Sequence, residues 1–197
     1  MVNFIMRPVL LILMLLCSLA VNGQNQKLID SLKRKLASTS SSSKVELLNA
    51  IGWEYRTFYP DSAIYFAQLA YDWAESYKLE KGQAKSLNFI GVANNYKGDR
   101  VKAYDYYRKA IEKAIIQNDS NQLAYANNNI GQILLEQRVS QKSLDYFTKA
   151  LEIFNATHDF SGIAYVKQSL AKLYLLQLDY KKAEHTGKVV QLFCGMQ

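Results

Sequence analysis

Apolar residues along this chain follow a helical period and come in paired stretches. Residues three or four positions apart fall on one side of an α-helix. The first stretches show this spacing in Leu48, Ile51 and Tyr55, in Leu87 and Ile90, and in Ile130 and Leu134. The turn signals that divide each pair are Tyr59-Pro60-Asp61, Lys97-Gly98-Asp99, Arg138-Val139-Ser140 and Leu178-Asp179. This pattern predicts an all-α chain built from helix pairs.

Small residues return at a nearly constant interval of 39 or 40 residues. One set directly follows an aliphatic residue and consists of Gly52, Gly91, Gly131 and Ala171. Two further sets are Ala63, Ala103, Ser143 and Ala183, and Ala70, Ala110 and Ala150. Such regular self-similarity indicates a solenoid of stacked units. Small side chains are needed where two helices cross at about 8–10 Å, so we expect these positions at the helix contacts.

The turn residues also suit helix ends. Gly98 fits the left-handed position that closes a helix, and Asp99 can cap the next one.

The order of these residues resembles the tetratricopeptide repeat (TPR) family. The second repeat fits best, with Leu87, Ile90, Gly91, Ala103, Tyr107 and Ala110. The family's closing proline is missing and the period exceeds 34 residues, so the resemblance is to long-period variants. It implies a right-handed superhelical solenoid of about four helix-turn-helix repeats. Their expected ranges are 44–83, 84–122, 123–162 and 163–197.

Both ends of the repeat array depart from the pattern. In the fourth repeat, Glu184 and Gly187 replace apolar or aromatic residues, which predicts either a degenerate cap or the stub of a longer array. Residues 24–43 precede the first repeat. Within them we expect a short helix with Leu28, Leu32 and Leu36 on one face, followed by a flexible serine-rich link over 37–43.

Residues 1–23 have the features of a secretory signal peptide. Arg7 precedes an apolar run from Val9 to Ala20, and small residues lead up to Gly23. The run is shorter than the roughly 20 residues of a membrane span, so we predict cleavage before Gln24, export to the periplasm or beyond, and no stable membrane span afterwards. An uncleaved signal anchor is the alternative. Lipidation at Cys17 is disfavoured because large leucines precede it.

Charge and cysteine content change this picture little. The formal net charge is +7 over 197 residues, and basic and acidic residues alternate along the helices as on a solvated surface. No recognition-helix or base-stacking motif accompanies the basic residues, so nucleic acid is not an expected partner. Signal cleavage would leave Cys194 as the one thiol, and stability must then come from helix stacking rather than a disulfide.

Candidate catalytic groups are few. His158 and His185 have no metal-ligand partners at a convincing spacing, and the chain has no nucleophile elbow and no phosphate-binding glycine loop. We therefore expect no enzyme activity, no metal and no cofactor.

Three columns of the first helices are the candidate binding site, because the TPR resemblance implies that these helices line a concave groove. The central column carries amides at Asn49, Asn88, Asn128 and Gln168. The flanking columns are Glu46, Lys85, Tyr125 and Tyr165, and Trp53, Val92, Gln132 and Lys172. A carboxamide can both donate to and accept from a peptide backbone. We predict that this amide ladder, with all the flanking residues except Glu46 and Val92, contacts an extended peptide.

These observations favour a non-enzymatic protein- or peptide-binding scaffold. Its signal peptide, short helix, link and long-period repeats look like the periplasmic TPR sensor region of bacterial signalling proteins, which implies an exported sensor or adaptor module. The alternative is a structural protein of the cell envelope that self-associates through its terminal repeat.

Overall fold

Helices make up nearly all of the part of the chain that the computed structural model describes, residues 26–39, 41–79, 81–179 and 181–187. Helical residues 26–37 form α1, and helical residues 181–187 form α9. Between them lie α2 (Ser41–Tyr55), α3 (Pro60–Ser76), α4 (Gln83–Tyr96), α5 (Arg100–Ile116), α6 (Ser120–Glu136), α7 (Ser140–Ala156) and α8 (Phe160–Leu176). The predicted all-α solenoid is confirmed. The predicted signal peptide, both cysteines and the chain after 187 lie outside the described residues.

The helices stack in a repeating order. Each helix from α2 to α7 packs against the next one, and the first helices of successive repeats also touch one another, as α2–α4, α4–α6 and α6–α8. The second helices α3, α5 and α7 make no such contacts with each other. The first helices therefore lie on the inner, more tightly curved side of the stack. None of the described helices is both long and apolar enough to cross a bilayer.

Glycines in the first helices make room for the second helices. At Gly52 a Cβ would lie 3.1 Å from the carbonyl oxygen of Ala63, so the two backbones approach closely there. At Gly91 a Cβ would lie 2.4 Å from the Tyr107 ring. The expected backbone crossing is thus found in the first repeat, whereas in the second the missing side chain leaves space for an aromatic ring.

The helix ends share one turn geometry. Helices α3 to α8 are each followed by a residue with positive φ, at Lys78, Gly98, Asn118, Arg138, His158 and Leu178. The next backbone N–H then bonds back to the helix, as from Asp99 to the Asn94 carbonyl at 2.9 Å. This arrangement satisfies carbonyls that the helix itself leaves unpaired. The predicted left-handed role of Gly98 is confirmed.

Aspartates begin most of the following helices. Asp99, Asp119, Asp159 and Asp179 each accept a hydrogen bond from the backbone N–H three residues later, at 2.9–3.2 Å. Each therefore satisfies one of the first N–H groups of its helix. The cap role predicted for Asp99 is confirmed.

Val139, like Tyr59 before α3 and Gly82 before α4, provides no side-chain cap, and it gives a stability prediction. It begins α7 with φ −90° and ψ 66°, close to the values at Asp119, but offers no side-chain cap. Lys142 also stands where Lys102 and Lys182 pair with their capping aspartates. Val139→Asp should therefore raise the free energy of unfolding by about 0.5–2 kcal/mol, measured by urea denaturation. Asp119→Ala is the reciprocal control and should lower it. The prediction would be contradicted if Val139→Asp left the free energy of unfolding unchanged while Asp119→Ala lowered it.

Two expectations for the N-terminal segment are wrong in detail. Helix α2 already begins at Ser41, so Ser41–Ser43 are helical and the link between α1 and α2 is shorter than predicted. Serine is favoured at helix starts, which explains why this run does not act as a long breaker. The buried face of α1 is also shifted, because Leu28 is 46% exposed while Ile29 is 3% exposed.

Candidate binding groove

Side chains from the first helices of all four repeats surround one concave cavity of about 440 Å³, here called the groove. Its lining residues are Trp53 of α2; Lys85, Asn88, Phe89 and Val92 of α4; Gln122, Tyr125 and Asn129 of α6; and Ser161 and Tyr165 of α8. The volume lies in the range of about 300–1,000 Å³ that is typical of ligand cavities.

Aromatic rings form two walls of the groove. The ring centroids of Trp53 and Phe89 lie 5.0 Å apart, and those of Tyr125 and Tyr165 lie 6.2 Å apart. Tyr125 also meets Phe154 edge-on at 4.8 Å, which fixes it against the core. The Arg56 guanidinium lies 3.7 Å from the Trp53 ring centroid. Because these rings are braced by neighbours, the groove is largely preformed.

Hydrogen bonds hold the two tyrosines in place. The Tyr125 hydroxyl donates to Asp159 at 3.4 Å, and the Tyr165 hydroxyl donates to Asn129 Oδ1 at 3.1 Å. Burial, with the Asp159 carboxylate adding to it, raises the pKa of Tyr125 to about 12. Burial also raises the pKa of Tyr165. Both hydroxyls therefore stay protonated near neutral pH and cannot act as bases there.

The groove lining carries no unopposed charge. Lys85 is the one ionisable residue of the lining other than the tyrosines, and it forms an ion pair with Glu46 of the preceding repeat. The Asp159 carboxylate beyond Tyr125 also caps α8. The cavity is therefore apolar and aromatic with a few amide groups, and it suits an uncharged group.

The prediction that the amide ladder forms an exposed surface is wrong. Asn49, Asn88 and Asn128 are 0%, 2% and 0% exposed. Asn49 Nδ2 donates to Ser86 Oγ at 3.0 Å, and Asn88 Nδ2 donates to the backbone and side-chain oxygens of Gln122, both at 3.0 Å. Asn49 and Asn88 therefore join the first helices of neighbouring repeats. Asn88 alone of the column lines the groove, and Gln168 is exposed outside it.

The physical reason is that the predicted column lies one residue before the column that faces the groove. One residue corresponds to a rotation of about 100° around a helix. The small residue at position 52 or 91 must face the second helix, and the neighbouring first helix covers the side that carries the amide. The column one residue later, with Phe89 and Asn129, faces the groove instead.

The flanking columns are placed more accurately. Four of their predicted residues, Trp53, Lys85, Tyr125 and Tyr165, line the groove together with Asn88 of the central column. Gln132 instead donates to Ser169 Oγ at 3.1 Å and joins α6 to α8. Lys172 is exposed and does not line the groove. Ligand contact by the five that line it stays a prediction.

Five lining residues were not predicted as contacts: Phe89, Val92, Gln122, Asn129 and Ser161. Phe89 and Asn129 share a column with Ala50 and Ser169, which have no common chemistry with them. Nothing in that column therefore marks it as a site. Gln122 and Ser161 lie in the first turns of their helices, where polar residues are ordinary.

Neither His158 nor His185 lines the groove. His158 has φ 55° and occupies the left-handed position after α7, and the Asp159 that follows caps α8. His185 is exposed on α9. Within the described ranges, no group of three or more His, Cys, Asp or Glu residues is arranged to hold a metal ion.

Comparisons with known proteins fit this architecture. No protein-family model matches the chain, and no curated protein sequence matches it. A solved Rap protein, complexed with competence and sporulation factor, superimposes with a TM-score of 0.75 at 20% identity, over 88% of this chain and 50% of that chain. BtubC from P. vanneervenii gives 0.65 at 16% identity, over 89% and 72%. MamA gives 0.52 at 19% identity, over 90% and 92%.

These likenesses are structural. The chain spans about half the length of the Rap protein, and at such low identities what they share is the fold. That fold is a TPR-like helical repeat.

Proposed function

We propose that this protein is a non-enzymatic binding module that holds an extended protein or peptide segment in the groove. One observation carries the proposal: the first helices of all four repeats contribute to a single preformed, aromatic cavity on the inner side of the stack. The fold supports it, since the structurally similar Rap protein was solved in complex with a named factor.

Capture of a partner tests the proposal. Ser161 is exposed, lines the groove and lies in the first turn of α8, so Ser161→Arg should fill the cavity without disturbing the core. Ser120 is exposed in the first turn of α6 and is not a lining residue, which makes Ser120→Arg the matched control. We expect the tagged parent and the control to retain the same partner from host extract, identified by mass spectrometry, and Ser161→Arg to lose at least nine-tenths of it. Equal capture by all three would contradict the proposal.

The sensor or adaptor role that we propose includes export, which rests on the sequence of residues 1–23. Expression in the native host should give a protein whose mass and N-terminal sequence start at Gln24. Gly23→Phe places a large residue at the cleavage site and should leave residues 1–23 attached. A parent protein that keeps residues 1–23 would contradict cleavage and favour the signal anchor.

Self-assembly is the second candidate, and one surface favours it. Leu175, Leu176 and Leu178 are exposed around the end of α8, and exposed apolar groups can mark an interface. This alternative predicts oligomers that form with rising concentration in sedimentation experiments and dissociate in a Leu175→Ser/Leu178→Ser variant. A monomer at all concentrations removes it.

A further inference from the structure

The size of the groove limits what it encloses. Its volume of about 440 Å³ is at the lower end of ligand cavities, so it accommodates one or two side chains rather than a whole folded element. The walls are two aromatic pairs, Trp53 with Phe89 and Tyr125 with Tyr165. Burial of apolar surface against such rings is therefore the main source of binding free energy.

The charges of the groove discriminate between side chains. An ionised group that enters an apolar cavity loses its hydration and needs an opposite charge or hydrogen bonds to replace it. Lys85 already pairs with Glu46, and the lining contains no carboxylate. The cavity therefore disfavours acidic and basic side chains and favours large uncharged ones.

One buried amide oxygen of the groove has unused hydrogen-bonding capacity. Asn88 is 2% exposed and donates from Nδ2 to Gln122, but its Oδ1 has no partner among the described residues. Asn129 Oδ1 is already engaged, because it accepts from the Tyr165 hydroxyl. An unpaired buried acceptor costs about 1–3 kcal/mol. A peptide N–H donated to Asn88 Oδ1 would remove this cost.

From these observations we propose that the groove is an anchor pocket for one bulky uncharged side chain, aromatic or long aliphatic, of a peptide whose backbone N–H donates to Asn88 Oδ1. This inference rests on the proposed binding function and specifies which ligand chemistry it accepts. Specificity then comes from the anchor residue, and charged residues of the same segment lie outside the groove.

Fluorescence of Trp53 provides the test. The chain has two tryptophans, so Trp73→Phe leaves Trp53 as the single reporter, 5.0 Å from Phe89. The probes are N-acetyl amides of phenylalanine, leucine, alanine, aspartate and lysine. We expect saturable changes for the phenylalanine and leucine probes, with dissociation constants on the order of 1 mM for ligands of this size. Binding of the other three should be at least about tenfold weaker, since they bury less apolar surface or carry a charge.

Two controls address the hydrogen bond and the location. N-acetyl-N-methylphenylalanine amide lacks the donated N–H and should bind about tenfold more weakly. Adding Ser161→Arg to the single-tryptophan protein should abolish the response, whereas Ser120→Arg should preserve it. Equal or tighter binding of the aspartate or lysine probe, or a response that survives Ser161→Arg, overturns the anchor pocket.

The outcomes separate this inference from the proposed function. If the phenylalanine probe does not bind but Ser161→Arg still prevents partner capture, the groove binds a segment without an apolar anchor, and only the inference fails. If partner capture is insensitive to Ser161→Arg, the proposed function itself fails.

Discussion

Phe147→Ala is expected to lower the free energy of unfolding by about 3–5 kcal/mol. The Phe147 side chain is fully buried and belongs to the core cluster that joins α6, α7 and α8. Its removal leaves a cavity between repeats that rigid helices cannot close, and a stack of repeats depends on its nearest-neighbour contacts. Urea denaturation followed by helical circular dichroism measures the loss. A cost below about 1 kcal/mol would contradict this account of the packing.

Gly131→Ala tests the same contact from the opposite side. Its Cβ would lie 2.6 and 2.7 Å from Phe147 ring atoms. Overpacking costs about 1–3 kcal/mol, against a gain in helix propensity of about 1 kcal/mol. We therefore expect net destabilisation in the parent, and a neutral or stabilising effect in a Phe147→Leu background. Gly187 has no atom within 4 Å of an added Cβ, so Gly187→Ala is the control and should be neutral or stabilising.

Asn88→Asp is expected to destabilise the protein by about 3–5 kcal/mol at pH 8, because it leaves an unpaired buried charge. The new carboxylate would face two acceptor oxygens of Gln122 in place of the amide's hydrogens. Burial raises the pKa of such a carboxyl above its unfolded value of about 3.9. The penalty is therefore absent below about pH 4 and grows as pH rises from there to the folded-state pKa.

Gln168→Glu is the matched control, since Gln168 belongs to the same column but is exposed. A surface change of this kind should alter stability by no more than about 0.5 kcal/mol. Denaturation curves of both variants and the parent at pH 4 and pH 8 make the comparison. Equal stability of the Asn88 variant and the parent at pH 8 would show that the amide column is not structural.

The fold was predictable because several local signals agree. Helical periodicity, small residues every 39 or 40 positions and the Gly98-Asp99 turn all indicate the same helix pairs. The first-turn serines of α2 were misjudged because the same residue type favours both links and helix starts.

The site was only partly predictable because helical periodicity shows which residues share one face of a helix. It does not show which other helix packs against that face. Asn49 and Asn128 lie within one residue of the groove-facing column, but both are fully buried, and Asn49 bonds to Ser86 of the next repeat. Whether a polar residue on such a face meets solvent or another helix depends on how tightly the stack curves. That curvature follows from the packing of all the repeats together. Tyr125 and Tyr165 were found because their column lies well inside the concave face.

Site-specific photo-crosslinking tests the central claim, that the groove is the binding site, most directly. The photoreactive residue p-benzoylphenylalanine replaces either Phe89, which lines the groove, or Tyr65, which is exposed on α3 outside it. Both exchanges put one aromatic residue in place of another, so both proteins should fold. Irradiation in host extract should attach a partner segment at position 89 and none at position 65. Attachment at position 65 with none at position 89 would place binding on the outer face and contradict the account.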